Sequence, residues 1–126
     1  RDARDLQAIG IGTVAISSND PSAYPEDSFD HMRQWAEAKQ FPFPYLFDES
    51  QAVARAYGAV CTPDFFGYDR DLLLRYRGRL DASRKEAAPG DARRELYEAM
   101  QEVAETGRTT LQQVPSMGCS IKWKAA

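Results

Sequence analysis

The feature that most constrains the fold is the segment Tyr-Gly-Ala-Val-Cys-Thr-Pro-Asp-Phe-Phe at residues 57–66. Gly58 is typical of the end of a helix, because glycine readily takes the left-handed conformation in which many helices end. Pro63 has no backbone N–H, so it belongs in a turn or at the first residue of a strand. The aromatic pair after it favours a strand. The segment therefore predicts a helix, a short loop carrying Cys61, Thr62 and Pro63, and then a strand.

Composition indicates one globular domain with a real core. The chain has 126 residues, of which 43% are hydrophobic and 28% charged, and these are ordinary values. No apolar run reaches the length of a membrane span. A net charge of −3 and a pI near 5.2 argue against a nucleic-acid-binding surface, which needs a basic stripe. We therefore expect neither a nucleic-acid nor a membrane partner.

The cysteine and histidine content also limits the chemistry. Two cysteines are too few for a disulfide framework, so they fit a reducing compartment or a single redox pair. His31 has no second ligand four residues away, and the cysteines lack the spacing of a zinc site. We expect no metal and no cofactor, and we interpret His31 as a surface residue.

Hydrophobic periodicity and turn residues predict alternating helices and strands. In chain order, the predicted elements are a helix over 1–9 ended by Gly10, a strand over 11–17, a helix from Asp27 or Ser28, a short strand over 45–47, a helix capped by Asp48, Glu49 or Ser50, strands over 64–68 and 72–77 joined by a hairpin turn at 69–71, a mobile loop over 82–90, and a last helix capped by Asp91 and ended by Gly107. The apolar tail residues Met117, Ile121 and Trp123 are expected to pack on the body. The predicted organisation is thus a domain over 1–108 and a C-terminal tail over 109–126.

The same periodicity predicts which helix positions are buried. The side chains expected to face inward are Phe29, Met32, Trp35 and Ala36 in the second helix and Leu96, Met100 and Val103 in the last, while Val53 and Tyr57 are expected to share a face of the third. Trp35 and Trp123 are interpreted as packing residues.

Residues 13–20, 41–66, 76–79 and 118–124 resemble a bacterial branch of the thioredoxin superfamily, the redoxin or AhpC/TSA (alkyl hydroperoxide reductase and thiol-specific antioxidant) group. The most specific parts are the Cys-Thr-Pro loop and the tail Gly-Cys-Ser-Ile-Lys-Trp-Lys. The resemblance runs nearly end to end. It implies an α/β fold, a thioredoxin-like three-layer α/β/α sandwich with a mixed sheet.

The resemblance also implies a missing part. Relatives carry a Cys-x-x-Cys motif at the start of the first helix, where the helix N-terminus favours the reactive thiolate. This sequence has no such motif, and residues 1–9 correspond to the end of that helix. We therefore expect the reactive pair and the preceding strand upstream of Arg1. That strand belongs between the strands at 11–17 and 64–68, so the chain alone is not expected to close its sheet. Either upstream polypeptide or another chain would supply the strand.

The resemblance assigns roles to the loop. It implies a cis Thr62–Pro63 bond, with Thr62 and Pro63 binding the substrate. Cys61 is a candidate resolving thiol that attacks a sulfenate or a mixed disulfide. The alternative is a buried structural thiol, because free cysteine is among the most buried residue types. Cys119 either pairs with Cys61, which requires Cα atoms within about 7 Å, or is solitary.

Two sets of charged residues resemble functional sites, but each has a simpler structural interpretation. Asp48 and Glu49 resemble a carboxylate pair, but helix capping explains them better. Arg75, Arg77 and Arg79 alternate along and past a strand. They form either a basic stripe for an anionic partner or, as we favour, a solvated strand face.

Three function classes follow from the sequence. The leading one is a thiol–disulfide oxidoreductase or thiol-dependent peroxidase, acting on a thiol or disulfide protein or on a small peroxide. The second is a redox-inactive binding module that uses the cis-proline face. The third is a structural fragment that completes a dimer. We expect a cytoplasmic location, and a homodimer stays open.

Overall fold

The computed structural model describes residues 1–22, 24–82 and 93–124, and these form a mixed α/β fold. Its helices are α1 (Asp2–Ala8), α2 (Phe29–Lys39), α3 (Ala52–Tyr57) and α4 (Glu95–Thr106), with a 3-10 turn at Pro25–Asp27. Its strands are β1 (Ala15–Ser17), β2 (Tyr45–Phe47), β3 (Cys61–Thr62), β4 (Phe65–Tyr68), β5 (Leu74–Gly78) and β6 (Cys119–Ser120). None of the helices in the described ranges is long and apolar enough to cross a membrane.

The chain divides into two compact units. The first contains residues 1–11 and 61–119, and the second contains residues 12–60 and 120–126. The predicted loop over 82–90, apart from Ala82, and the predicted cap Asp91 lie outside the described residues. The predicted division at residue 108 into a domain and a tail stays a prediction.

In the first unit, the predicted hairpin is confirmed. β4 and β5 are antiparallel, with Phe65 opposite Gly78. The Asp69 carboxylate holds the turn, because it accepts hydrogen bonds from the backbone of Asp71 (2.9 Å) and Leu73 (3.0 Å). The turn is longer than predicted and β5 begins at 74 instead of 72. The reason is that Leu72 takes a left-handed conformation with φ 62°, which does not continue a strand.

The core of the first unit lies between α1, α4 and the hairpin. Its buried side chains are Leu6, Tyr76, Ala99, Met100 and Val103, and Leu96 packs against them. The prediction that one face of the last helix points inward is therefore confirmed. Gly107 ends α4 in the left-handed conformation, with φ 85°, and its N–H donates to the carbonyl of Val103 (2.8 Å).

In the second unit, β1 and β2 are parallel, with Ile16 opposite Leu46. The predicted strand over 11–17 is wrong in length, because only residues 15–17 are strand. The chain next to β2 explains this. It contains Pro42 and Pro44, which have no N–H to donate, so a ladder cannot extend beyond the bond from Ala15 N–H to the Pro44 carbonyl (3.0 Å).

The start of α2 agrees with the prediction, but its buried face does not. Ser28 caps the helix by accepting from the N–H of His31 (3.3 Å). Met32 is 4% exposed, whereas Phe29 and Trp35 are 55% and 53% exposed. The predicted inward position of these two aromatic residues is wrong. Their rings pack against other rings at the surface; the Trp35 ring meets the edge of Phe41 at a centroid distance of 5.4 Å.

In α3, Val53 and Tyr57 share a face as predicted. That face is exposed, and the buried residue of the helix is Ala54. The cause is local. The Asp48 carboxylate accepts from the N–H of Ala54 (2.9 Å), and this fixes that side of the short helix toward the interior.

Candidate functional site

Cys61 and Thr62 of the predicted site loop form the short strand β3, and only Pro63 and Asp64 connect it to β4 in the first unit. The Thr62–Pro63 peptide bond is cis. Pro63 is exposed, while Cys61 and Thr62 are half-buried. The proline lies two residues before Phe65, the first residue of β4, as expected for a residue that cannot donate to a ladder.

Cys61 lies in surroundings that favour the protonated thiol. Its Sγ is 3.9 Å from the carbonyl oxygen of Pro63 and 3.8 Å from that of Ser116. Burial and the nearby Asp64 carboxylate raise the pKa of the Cys61 thiol. The Gly118 N–H and Arg77 act in the opposite direction without reversing the shift. Because the thiolate is the nucleophile, Cys61 is not activated as placed, and its role as a resolving thiol stays a prediction.

Thr62 contacts the C-terminal region of the chain. Its hydroxyl donates to the carbonyl oxygen of Cys119 (3.3 Å), and β3 pairs with β6. Cys119 is exposed, and both cysteines are free thiols. Whether Cys119 pairs with Cys61 or is solitary stays a prediction. The substrate-binding role of Thr62 and Pro63 stays a prediction.

Residues 113–119, which we name the tail segment, run beside β5 and β3. The Gln113 side chain accepts from the N–H of Arg77 (2.9 Å) and donates to the carbonyl of Arg75 (3.2 Å). The N–H of Arg79 donates to the Val114 carbonyl (2.9 Å). These bonds make the tail segment a partial extra strand along β5.

The tail segment reaches the loop through two further residues. The Ser116 hydroxyl donates to the carbonyl of Gly78 (2.7 Å). Gly118 lies directly against the Thr62 carbonyl, where any Cβ would overlap the carbonyl oxygen. The loop and the tail segment are therefore packed backbone to backbone.

The alternating arginines are all paired with carboxylates. Arg75 binds Asp69 (2.8 Å), Arg77 binds Asp64 (3.5 Å) and Arg79 binds Glu95 (3.0 Å). A basic stripe for an anionic partner needs unneutralised charge, so these pairs support the interpretation as a strand face. Such partly exposed pairs contribute about 0–1 kcal/mol each to stability.

In the second unit, Asp48 is buried and serves α3. Its carboxylate accepts from the Ser18 hydroxyl (2.8 Å) and from the N–H groups of Ala54 (2.9 Å) and Val53 (3.3 Å). Burial raises the pKa of Asp48, but these hydrogen bonds outweigh it and the net pKa is lowered. The N-cap position of α3 is Gln51, so the predicted cap position is wrong, but Asp48 binds N–H groups of the first turn as a capping side chain does; Glu49 is exposed.

Gln51 is the polar residue that sequence reasoning missed. Its side chain is 1% exposed. Nε2 donates to the carbonyls of Ser18 (2.7 Å) and Lys122 (2.9 Å), and Oε1 accepts from the N–H of Lys124 (3.0 Å). The one local signal is the spacing Asp48-x-x-Gln51, which resembles a capping box.

An open groove with a cavity volume of about 580 Å³ also lies in the second unit. Its lining is Ile16, Leu46, Phe47, Asp48, Glu49, Ser50, Val53 and Lys124. None of the four predicted site residues lines it. The predicted chemistry and this groove are therefore separate features.

Comparison with known proteins gives a family match and two similar solved structures. Residues 1–78 match the AhpC/TSA family. A hypothetical protein, SMc02350, from Sinorhizobium meliloti 1021 superposes with a TM-score of 0.86 at 43% identity, over 98% of this chain and 68% of that one. An uncharacterized conserved protein from Geobacillus kaustophilus gives a TM-score of 0.84 at 46% identity, over 98% of this chain and 66% of that one. No curated protein matches the chain. The chain spans about two thirds of the length of both solved relatives.

Proposed function

Since this chain belongs to the AhpC/TSA family, we propose that it carries the substrate loop of a thiol–disulfide oxidoreductase or thiol-dependent peroxidase. The observation behind this proposal is the Cys61-Thr62-Pro63 sequence that leads into β4, inside the matched residues 1–78. Family membership supports redoxin-type chemistry in general. We further propose that the substrates are disulfides or small peroxides.

In the proposed reaction, Thr62 and Pro63 bind the substrate and Cys61 resolves an oxidised intermediate. The Cys61 thiol attacks the sulfur of a sulfenic acid on another cysteine. An S–S bond forms, the S–O bond breaks, and the hydroxide leaves with the thiol proton as water. The sequence contains no Cys-x-x-Cys motif, so we assign the sulfenic acid to a cysteine outside residues 1–126.

One observation favours a second candidate function, a binding module without redox activity. The pKa of the Cys61 thiol is raised by burial and by Asp64, which works against nucleophilic attack near neutral pH. In that case the cis-proline face would hold a partner without exchanging a disulfide.

Turnover assays on the full-length gene product separate these functions. Peroxide consumption and insulin reduction are measured with dithiothreitol as the reductant. The variants are Cys61→Ser and Pro63→Ala, with Pro42→Ala as a control at an exposed proline of the second unit. For the leading function we expect turnover in the wild type. Misplacing a substrate by about 1 Å costs on the order of 100-fold in rate, so Pro63→Ala should lower kcat/KM by about 10-fold or more. Pro42→Ala should leave kcat/KM unchanged.

Three results would each reject a different part of the proposed function. Absence of turnover in both assays, with retained binding of an extended peptide, would reject the oxidoreductase and support the binding module. Equal activity of wild type and Pro63→Ala would reject the assignment of the loop. Equal activity of wild type and Cys61→Ser would reject the resolving role alone.

A further inference from the structure

The tail segment covers the edge of the predicted substrate loop. β3 is paired with β6, the Thr62 hydroxyl is bound to the Cys119 carbonyl, and the Cys61 Sγ lies 3.8 Å from the Ser116 carbonyl. A strand of this same chain therefore already occupies the place beside Thr62 where an extended polypeptide could pair.

Gly118 is the residue that makes this fit possible. A Cβ at this position would overlap the Thr62 carbonyl oxygen and lie 2.7 Å from the carbonyl carbon and 3.2 Å from the nitrogen of Pro63. All three are backbone atoms, which cannot turn aside as a flexible side chain can. Gly118 is not among the residues with positive φ, so it is needed for close approach and not for its backbone conformation.

The contact between the tail segment and the loop lies at the surface. Met117, Gly118 and Cys119 are all exposed, and Thr62 and Ser116 are only half-buried. Hydrogen bonds at the surface compete with water and contribute little each. None of residues 113–119 belongs to the buried cluster of the first unit or packs against it.

We propose that the tail segment is an intramolecular ligand of the cis-proline loop, and that the loop recognises an extended strand with a glycine placed against the Thr62 carbonyl. This inference rests on the proposed function, since it names the occupant and the selectivity of that site. A polypeptide substrate docks at Thr62 only after the tail segment leaves. A small peroxide needs no strand pairing, so the tail segment does not compete with it in this way.

The expected change in peptide affinity follows from the covalent connection between the tail segment and the loop. A segment joined to its site by a short flexible connection acts at an effective concentration on the order of mM. A free peptide must therefore reach roughly mM concentration to compete in the wild type, and much less where the tail segment cannot dock.

The test is fluorescence anisotropy with a labelled octapeptide, Gln-Val-Pro-Ser-Met-Gly-Ser-Ser. This is residues 113–120 with serine in place of cysteine, so that binding is not covalent. The proteins are wild type, Gly118→Val and the control Gly12→Val. A Cβ at Gly12 meets no atom within 4 Å and Gly12 has no positive φ, so the control adds the same side chain in open space. We expect Gly118→Val to bind the peptide at least about 10-fold more tightly than wild type or Gly12→Val.

A second peptide tests the selectivity. With valine in place of its glycine, the octapeptide should bind Gly118→Val at least about 10-fold more weakly. No gain in affinity in Gly118→Val, or equal binding of the two peptides, would overturn the proposal.

If Gly118→Val does not fold, Ser116→Ala provides the same test by alkylation kinetics. Loss of the Ser116 hydroxyl bond to Gly78 loosens the tail segment, so iodoacetamide should label Cys61 several-fold faster; an unchanged rate would count against the proposal. Neither measurement involves turnover. Loss of peroxide and insulin activity with peptide selectivity retained would reject the proposed function only. Retained activity without peptide selectivity would reject this inference only.

Discussion

Replacement of Gln51 by alanine tests the most buried polar contact of the second unit. The change removes two donated hydrogen bonds, to the carbonyls of Ser18 (2.7 Å) and Lys122 (2.9 Å), and one accepted bond from the N–H of Lys124 (3.0 Å). Ser18 is buried, so water does not readily reach its carbonyl after the change. Lys122 is half-buried and Lys124 exposed, so water can replace the other two bonds.

The expected loss follows from these differences in burial. A buried carbonyl left without a donor costs about 1–3 kcal/mol, and each bond that water can replace about 0.5–1.5 kcal/mol. We expect Gln51→Ala to lower the free energy of unfolding by about 3 kcal/mol. At about 4 °C per kcal/mol for a chain of this size, the melting temperature should fall by about 12 °C.

Gln113→Ala is the matched control, because it removes the same side chain from an exposed position. Gln113 makes two bonds to backbone groups of β5, and water can replace both. We expect a loss of about 1 kcal/mol, the low end of the range for two such bonds, because Gln113 is exposed. Urea unfolding followed by circular dichroism measures both variants, and hydrogen exchange at the Lys124 amide reports the local effect. A loss in Gln51→Ala no larger than that in Gln113→Ala would refute the argument that burial determines the contribution of this amide.

Three further predictions follow from contacts described above. Hydrogen bonds lower the pKa of folded Asp48 below its ordinary 3.8. The contribution of Asp48 to stability is therefore present above that value and lost as the pH falls through the folded pKa. The stability difference between wild type and Asp48→Asn, about 1–3 kcal/mol at pH 7, should shrink below about pH 4 in urea titrations. Gly78→Ala should destabilise by about 1–3 kcal/mol, because a Cβ would lie 2.7 Å from the Val114 carbonyl oxygen; wild-type stability in thermal melts would contradict this. At pH 8 iodoacetamide should label exposed Cys119 faster than Cys61, whose pKa is raised and which is half-buried; equal rates by mass spectrometry would contradict it.

Local signals in the sequence predicted the local structure well. Turn residues indicated the β4–β5 hairpin, and periodicity indicated the buried Met100 and Val103 of α4. The Cys-Thr-Pro loop contributed to the family resemblance, and the match over residues 1–78 confirms the family. All of these depend on residues close together in the chain.

The features that sequence reasoning missed depend on distant partners. Gln51 binds residues 33 and 71 positions away, and nothing near it in the sequence indicates those contacts. Periodicity placed Trp35 on an apolar face, but it does not show whether that face meets the core or, as here, other surface rings. Gly118 is likewise explained only by the backbone of Thr62, more than fifty residues before it.

The side-chain amide of Gln113 has a consequence for solubility. It satisfies the Arg77 N–H and the Arg75 carbonyl at the edge of β5, where a neighbouring strand would otherwise bind. An amide side chain offers no continuing row of peptide groups, so it ends the ladder and cannot template another molecule. The hairpin is thereby guarded against edge-to-edge aggregation.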